Sequence, residues 1–272
     1  MGFFDDLAAR IEATDSVVSV GLDPDPDRLP GFLDAELPRW AFNRRIIDAT
    51  HEHAACYKPN AAFYEDPDGW RALRETVAYA HGKGVPVLLD AKRGDIGNTA
   101  RQYARVLDDV DAITVNPYLG EDALRPFLDR EDAGVFVLAR TSNDGARDFQ
   151  NLDVGNGKRL YEYVAQRAAA WDDGDVGLVV GATAPEELEA IRELVPGLPF
   201  LVPGVGAQGG DAAAAVEHGL ATDHPAAGEA GLGLVNSSRG IIFAGEGSSE
   251  DDYFAAAGAA ARRLETRLNE HR

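Results

Sequence analysis

The chain has 272 residues, 45% hydrophobic and 26% charged, which excludes a disordered, collagen-like or disulfide-scaffold protein. Lys and Arg number 26 against 46 Asp and Glu, a net charge of −20 that repels nucleic acid and anionic membrane, so neither is an expected partner. The single cysteine, Cys56, permits no intrachain disulfide and no cysteine-based zinc cluster.

Short apolar, β-branched runs alternate with amphipathic stretches along the whole chain. Residues 1–14, with Phe3, Phe4, Leu7 and Ile11 among Asp and Arg, read as a short amphipathic helix. They lack the basic start and long apolar run of a signal peptide. The first strand is predicted over 17–22, followed by a Pro- and Asp-rich loop and a helix around 40–53. The second is 54–58 with a helix near 69–81, and the third 85–90 with a helix over 98–107. The fourth strand, 112–115, precedes a helix over 121–128. The fifth, 134–139, precedes a long polar loop and a helix over 158–171. The sixth is 176–180, and its helix, 185–194, has Thr183 as expected cap and Pro185 in its first turn. The seventh is 200–202, with an alanine-rich helix over 211–218. The eighth is 233–236, with a final helix over 251–268.

Eight strand–helix units in one chain of this length predict an α/β protein, a single (β/α)8 barrel spanning 1–272, over an open doubly wound sheet. Continuous apolar strands fit a parallel sheet covered by helices. The loops 141–157 and 220–232 are candidate lids or local insertions. No stretch approaches the ~20 apolar residues of a membrane span, and the expected location is the cytoplasm. Only four of the basic residues are lysines (Lys58, Lys83, Lys92 and Lys158). An acidic, lysine-poor surface is similar to that of proteins from salt-loving organisms, where salt screens the repulsion between hydrated carboxylates.

A barrel carries its chemistry at the C-terminal ends of its strands. There the sequence places Asp23, Lys58, Asp90, Lys92, Asp95, Ser142, the glycine-rich run after strand seven, and Arg239. Asp90 and Lys92, two apart, can point the same way from a strand end, with Lys58 arriving from the neighbouring strand. Alternating acid and base keeps the lysines protonated. A charged lysine held there can protonate a developing carbanion, and a fixed carboxylate can repel an anionic substrate group. The same residues could instead be a salt-bridge network closing the barrel top.

Gly204, Gly206 and Gly209 fit the dinucleotide-binding fingerprint literally, but that motif belongs to a doubly wound domain. In a barrel the run reads as a phosphate cradle of backbone N–H groups, with Arg239 as a forked cationic contact. His51, His53, His81, His218 and His224 show no metal-ligand spacing.

The run Asp90-Ala-Lys92-Arg-Gly-Asp95-Ile96-Gly-Asn-Thr99 resembles the D-x-K-x-x-D-I-x-x-T signature of the orotidine 5′-phosphate decarboxylase family, more narrowly its longer branch often called type 2. The resemblance runs from strand one to strand eight. It implies a charged tetrad of Lys58, Asp90, Lys92 and Asp95, with Asp95 entering the other subunit's site in a homodimer. It implies Lys92 as proton donor to C6 of the pyrimidine and Asp90 beside the departing carboxylate. Asp23 and Lys58 would hold ribose hydroxyls, and Ser142 would read the pyrimidine. Ile96 and Thr99 would reach the ligand from the partner, and Gly206, Gln208 and Arg239 would take the 5′-phosphate. The family uses no cofactor and no metal. A related Mg²⁺-dependent group of sugar-phosphate decarboxylases and aldolases shares the strand-three pattern but carries a glutamate after strand two, where this chain has Lys58. A non-catalytic nucleotide binder is the third reading, disfavoured because a binder has no need of carboxylates near an anionic ligand.

Overall fold

The computed structural model describes residues 2–33, 35–171, 174–205 and 210–272. Eight parallel strands form around one apolar core: β1 (Val18–Leu22), β2 (Cys56–Pro59), β3 (Leu88–Arg93), β4 (Ala112–Val115), β5 (Gly134–Arg140), β6 (Val176–Val180), β7 (Phe200–Pro203) and β8 (Gly233–Ser237). Their order is β2-β1-β8-β7-β6-β5-β4-β3, and the bridges Tyr57–Val87 and Asn60–Asp90 join the two outer strands. This is a (β/α)8 barrel. Every residue of β1, β2, β4, β6 and β8 is buried, so these strands read in sequence as unbroken runs rather than alternating ones.

The surrounding helices are α2 (Pro38–Thr50), α3 (Pro67–Gly82), α4 (Gly97–Ala104), α5 (Glu121–Leu128), α6 (Leu160–Trp171), α7 (Pro185–Leu194), α8 (Ala212–Glu217), α9 (Arg239–Ile242) and α10 (Glu250–Asn269). Short polar caps start several of them: Asp66 accepts from Gly69 N–H at 2.8 Å before α3, and Asp211 from Ala213 N–H at 2.9 Å before α8. The N-terminal helix α1 (Phe3–Thr14) buries the four apolar residues singled out above. Phe3 and Phe4 meet Phe136, near the start of β5, edge-on at 5.9 and 5.6 Å, so α1 closes the floor of the barrel.

Three expectations are corrected, and one element is new. Thr183 does not cap α7. The helix starts at Pro185, so Ala184 holds the cap position, and the Thr183 hydroxyl donates to the Ser142 carbonyl at 3.3 Å. The third strand is shifted: Pro86 spends its carbonyl on Tyr57 N–H at 3.0 Å, and the regular ladder begins only at Leu88. The four-residue helix α9 was not expected at all. Finally, the loop 220–232 is no lid. It joins α8 to β8 at the N-terminal end, where Ala221 and Leu232 pair and the His224 ring lies 5.3 Å from Phe4. The loop 141–157, in contrast, leaves β5 at the C-terminal end, as a lid must.

Candidate active site

Lys58 projects from β2 and is only 4% exposed. Its Nζ donates to Asp90 Oδ2 at 3.2 Å, while Lys92 Nζ donates to Asp90 Oδ1 at 2.5 Å. One carboxylate therefore bridges two ammonium groups. Burial by itself disfavours ionised Asp90, but Lys58, Lys92 and a hydrogen bond from Thr114 outweigh it and hold the carboxyl well below the usual carboxylate range. Burial likewise disfavours charged Lys58, but Asp90 and Asp23 leave its ammonium above the ordinary lysine value. The site thus carries a protonated Lys58 and an ionised Asp90 at neutral pH.

Asp90 and Lys92 do converge, but not by regular strand alternation. Lys92 is left-handed at φ 49°, and the register between β3 and β4 breaks between Leu89 and Arg93. Thr114 of β4, fully buried, donates its hydroxyl to Asp90 Oδ1 at 2.9 Å and accepts from Lys92 N–H at 2.9 Å. The sequence reading missed this residue. Its only signal was one hydroxyl in an otherwise apolar strand.

Asp23, one residue beyond β1, has a buried Oδ1 with no hydrogen-bond partner among the described residues, which suits it to receive a ligand hydroxyl. Asp95 makes no ion pair with Lys58 or Lys92 of its own chain among the described residues; its Oδ1 accepts from Ile96 N–H at 2.8 Å. Ile96 is 62% exposed, and Thr99 is exposed beside it on α4. Ser142 is the second residue of the loop after β5, and a Cβ at Gly181 would come within 2.9 Å of it, so glycine lets this loop cross the end of β6. The loop is anchored by polar contacts that the sequence did not reveal. Buried Arg140 donates to Glu187 Oε2 at 2.5 Å, Asn151 Nδ2 donates to Glu187 Oε1 at 2.9 Å, and Gln150 Nε2 donates to Thr141 Oγ1 at 2.8 Å.

After β7, in the run expected to cradle phosphate, Gly204 is left-handed at φ 104°, and Gly210 N–H donates to its carbonyl at 3.0 Å. Gly206 and Gln208 lie outside the described residues. Arg239 opens α9 with an exposed side chain that forms no ion pair among the described residues, so its guanidinium is free to take an anion. Gly21 sets this turn against β1: a Cβ there would fall 1.7 Å from Ser238 Oγ.

Other candidates are accounted for structurally. Cys56 is buried, and burial pushes its thiol far above the ordinary range, so it is no nucleophile at neutral pH. His53 and His81 pair with Glu265 and Asp111, at 2.8 and 2.7 Å. Among the described residues no three His, Cys, Asp or Glu side chains are grouped to hold a metal ion.

A profile of the orotidine 5′-phosphate decarboxylase / HUMPS family matches residues 16–250. The chain belongs to this family. An orotidine 5′-phosphate decarboxylase from the halophilic archaeon Natronomonas pharaonis is 75% identical over 100% of both chains. The solved Leishmania donovani orotidine monophosphate decarboxylase superposes with a TM-score of 0.83 at 41% identity, covering 100% of this chain and 98% of that one. The UMP synthase of the same organism gives 0.86 at 42% identity, and this chain matches 56% of that longer protein. Family membership thus accounts for the barrel, and the close halophilic relative for the acidic, lysine-poor composition.

Proposed function

We propose that this chain decarboxylates orotidine 5′-phosphate to uridine 5′-phosphate and CO2, without a metal. The observation that carries the reading is the Lys58–Asp90–Lys92 bridge, a mostly buried carboxylate held ionised between two lysines at the barrel mouth. The substrate's ribose hydroxyls meet Asp23 Oδ1 and Lys58, and its 5′-phosphate meets Arg239, with Gly206 and Gln208 alongside. The pyrimidine lies under Ser142. Phosphate binding holds C6 at Lys92 and its carboxylate against ionised Asp90. The C6–CO2 bond breaks, the electron pair stays on C6, and Lys92 Nζ delivers a proton there. The neutral amine left behind regains its proton from water.

Asp95, with no lysine partner among the described residues, completes the site of a second copy, so the active unit is a homodimer. Ile96, Tyr118 and Leu119, all exposed near this mouth, give that contact an apolar surface. Ile96 and Thr99 reach the partner's ligand. A cytoplasmic location accompanies this reading; among the described residues no helix is long and apolar enough to cross a membrane. The Mg²⁺-dependent branch is disfavoured by Lys58, whose ammonium would repel a cation where that branch places a glutamate.

Loss of orotidine 5′-phosphate absorbance on adding purified protein in molar KCl tests the reaction. Turnover is expected to be unchanged by EDTA, and Lys92→Ala is expected to lose at least about 100-fold in kcat with its fold intact. No turnover by folded protein, or turnover abolished by EDTA, refutes the proposal; near-normal activity of Lys92→Ala refutes the role of Lys92.

A further inference from the structure

We infer that Thr114 is the positioning residue that aims both Asp90 and Lys92, a role resting on the decarboxylase reading above. Between Leu89 and Arg93, β3 advances four residues while its partners on β4, Ile113 and Val115, are two apart. The surplus chain forms a bulge, and the bulge turns Lys92 into the mouth at φ 49°, a conformation that disfavours side chains larger than glycine. It also removes Lys92 N–H from the ladder. Thr114, the β4 residue opposite the bulge, supplies the missing acceptor at 2.9 Å.

Because that contact uses the hydroxyl oxygen as acceptor, its proton is free to point elsewhere, and it points to Asp90 Oδ1 at 2.9 Å. The same carboxylate oxygen takes Lys92 Nζ at 2.5 Å. A single fully buried hydroxyl therefore fixes the backbone of the proton donor and the rotation of the carboxylate beside it. Valine fills the same space and can do neither. Serine keeps both bonds.

The test compares wild type, Thr114→Val and Thr114→Ser. Thr114→Val is expected to lose about 10- to 100-fold in kcat, the scale of one hydrogen bond to a charged group, with KM and uridine 5′-phosphate affinity within about threefold of wild type. Thr114→Ser is expected to restore most of the rate. The acid limb of the kcat profile, and the ¹³C titration midpoint of Asp90 in unliganded protein, both move to higher pH in Thr114→Val only. Should that variant fail to fold, Thr114→Cys, a weak donor of similar size, takes its place with the same expectation.

A threonine that merely packs predicts equal loss in both variants or an unmoved Asp90 midpoint, and either result overturns the inference. Absence of wild-type turnover overturns the decarboxylase reading instead, and the Asp90 titration then decides whether Thr114 orders the pair.

Discussion

Asp90 is where the site's chemistry and its stability meet. Its carboxylate offsets two ammonium groups, one of them on a lysine almost wholly removed from water. Removing one partner of a buried pair leaves the other charge unpaired, so Asp90→Asn is expected to destabilise the fold by about 3 kcal/mol at pH 7. The sign with pH follows from the lowered carboxyl. Asp90 contributes its full stability above the ordinary aspartate value of about 4, and loses it as pH falls through its own, lower value. Melts of wild type and Asp90→Asn should therefore differ at pH 7 and converge in strong acid. A variant that melts at or above wild type at pH 7 would show that the pair is held in place at a cost to stability. The Lys58–Asp90–Lys92 cluster was legible in sequence because chemistry-bearing residues gather at strand ends. Thr114 was not, since a hydroxyl within Ala-Ile-Thr-Val looks like any core threonine until the bulge opposite is seen.

Elements place these side chains through close approaches that only glycine allows. At Gly21, a methyl group would collide with Ser238, at the turn that presents Arg239. Gly21→Ala is expected to displace that turn and raise KM for orotidine 5′-phosphate at least about 10-fold, with a smaller change in kcat, because it weakens binding at the phosphate end rather than chemistry at C6. An unchanged KM would mean that Arg239 does not hold the phosphate. The strands were legible as apolar runs and the helices as amphipathic ones, since burial dictates both patterns. The start of β3 was not, because Val85 and Val87 are as apolar as the ladder residues after them and only the contacts with β2 tell them apart. Likewise 141–157 and 220–232 look alike as polar loops. Which end of the barrel each occupies follows from whether it leaves a strand or enters one.

The whole molecule carries a net charge of −20, and its lysines are mostly committed: Lys58 and Lys92 to the site, Lys83 to Asp48 at 2.9 Å. Self-repulsion of that size is relieved by screening, with a Debye length of about 3 Å at 1 M salt. The melting temperature is expected to rise by roughly 10 °C or more between dilute buffer and molar KCl, a shift worth several kcal/mol for a domain of this size. Light scattering in molar KCl should give twice the monomer mass of 29.1 kDa. Equal melting in both buffers, or a monomer in high salt, would contradict the halophilic reading or the dimer respectively. The amino-acid order by itself determined the barrel, its eight units and the charged residues at its mouth, because periodicity, burial and strand-end position are local properties of the chain. Only the tertiary structure decided that β3 bulges opposite Thr114, that one carboxylate bridges two lysines, and that Asp95 accepts from Ile96 N–H without a lysine partner among the described residues. Asp90 meets Lys58 and Thr114 across 32 and 24 residues of sequence, and no local pattern encodes the geometry of such contacts.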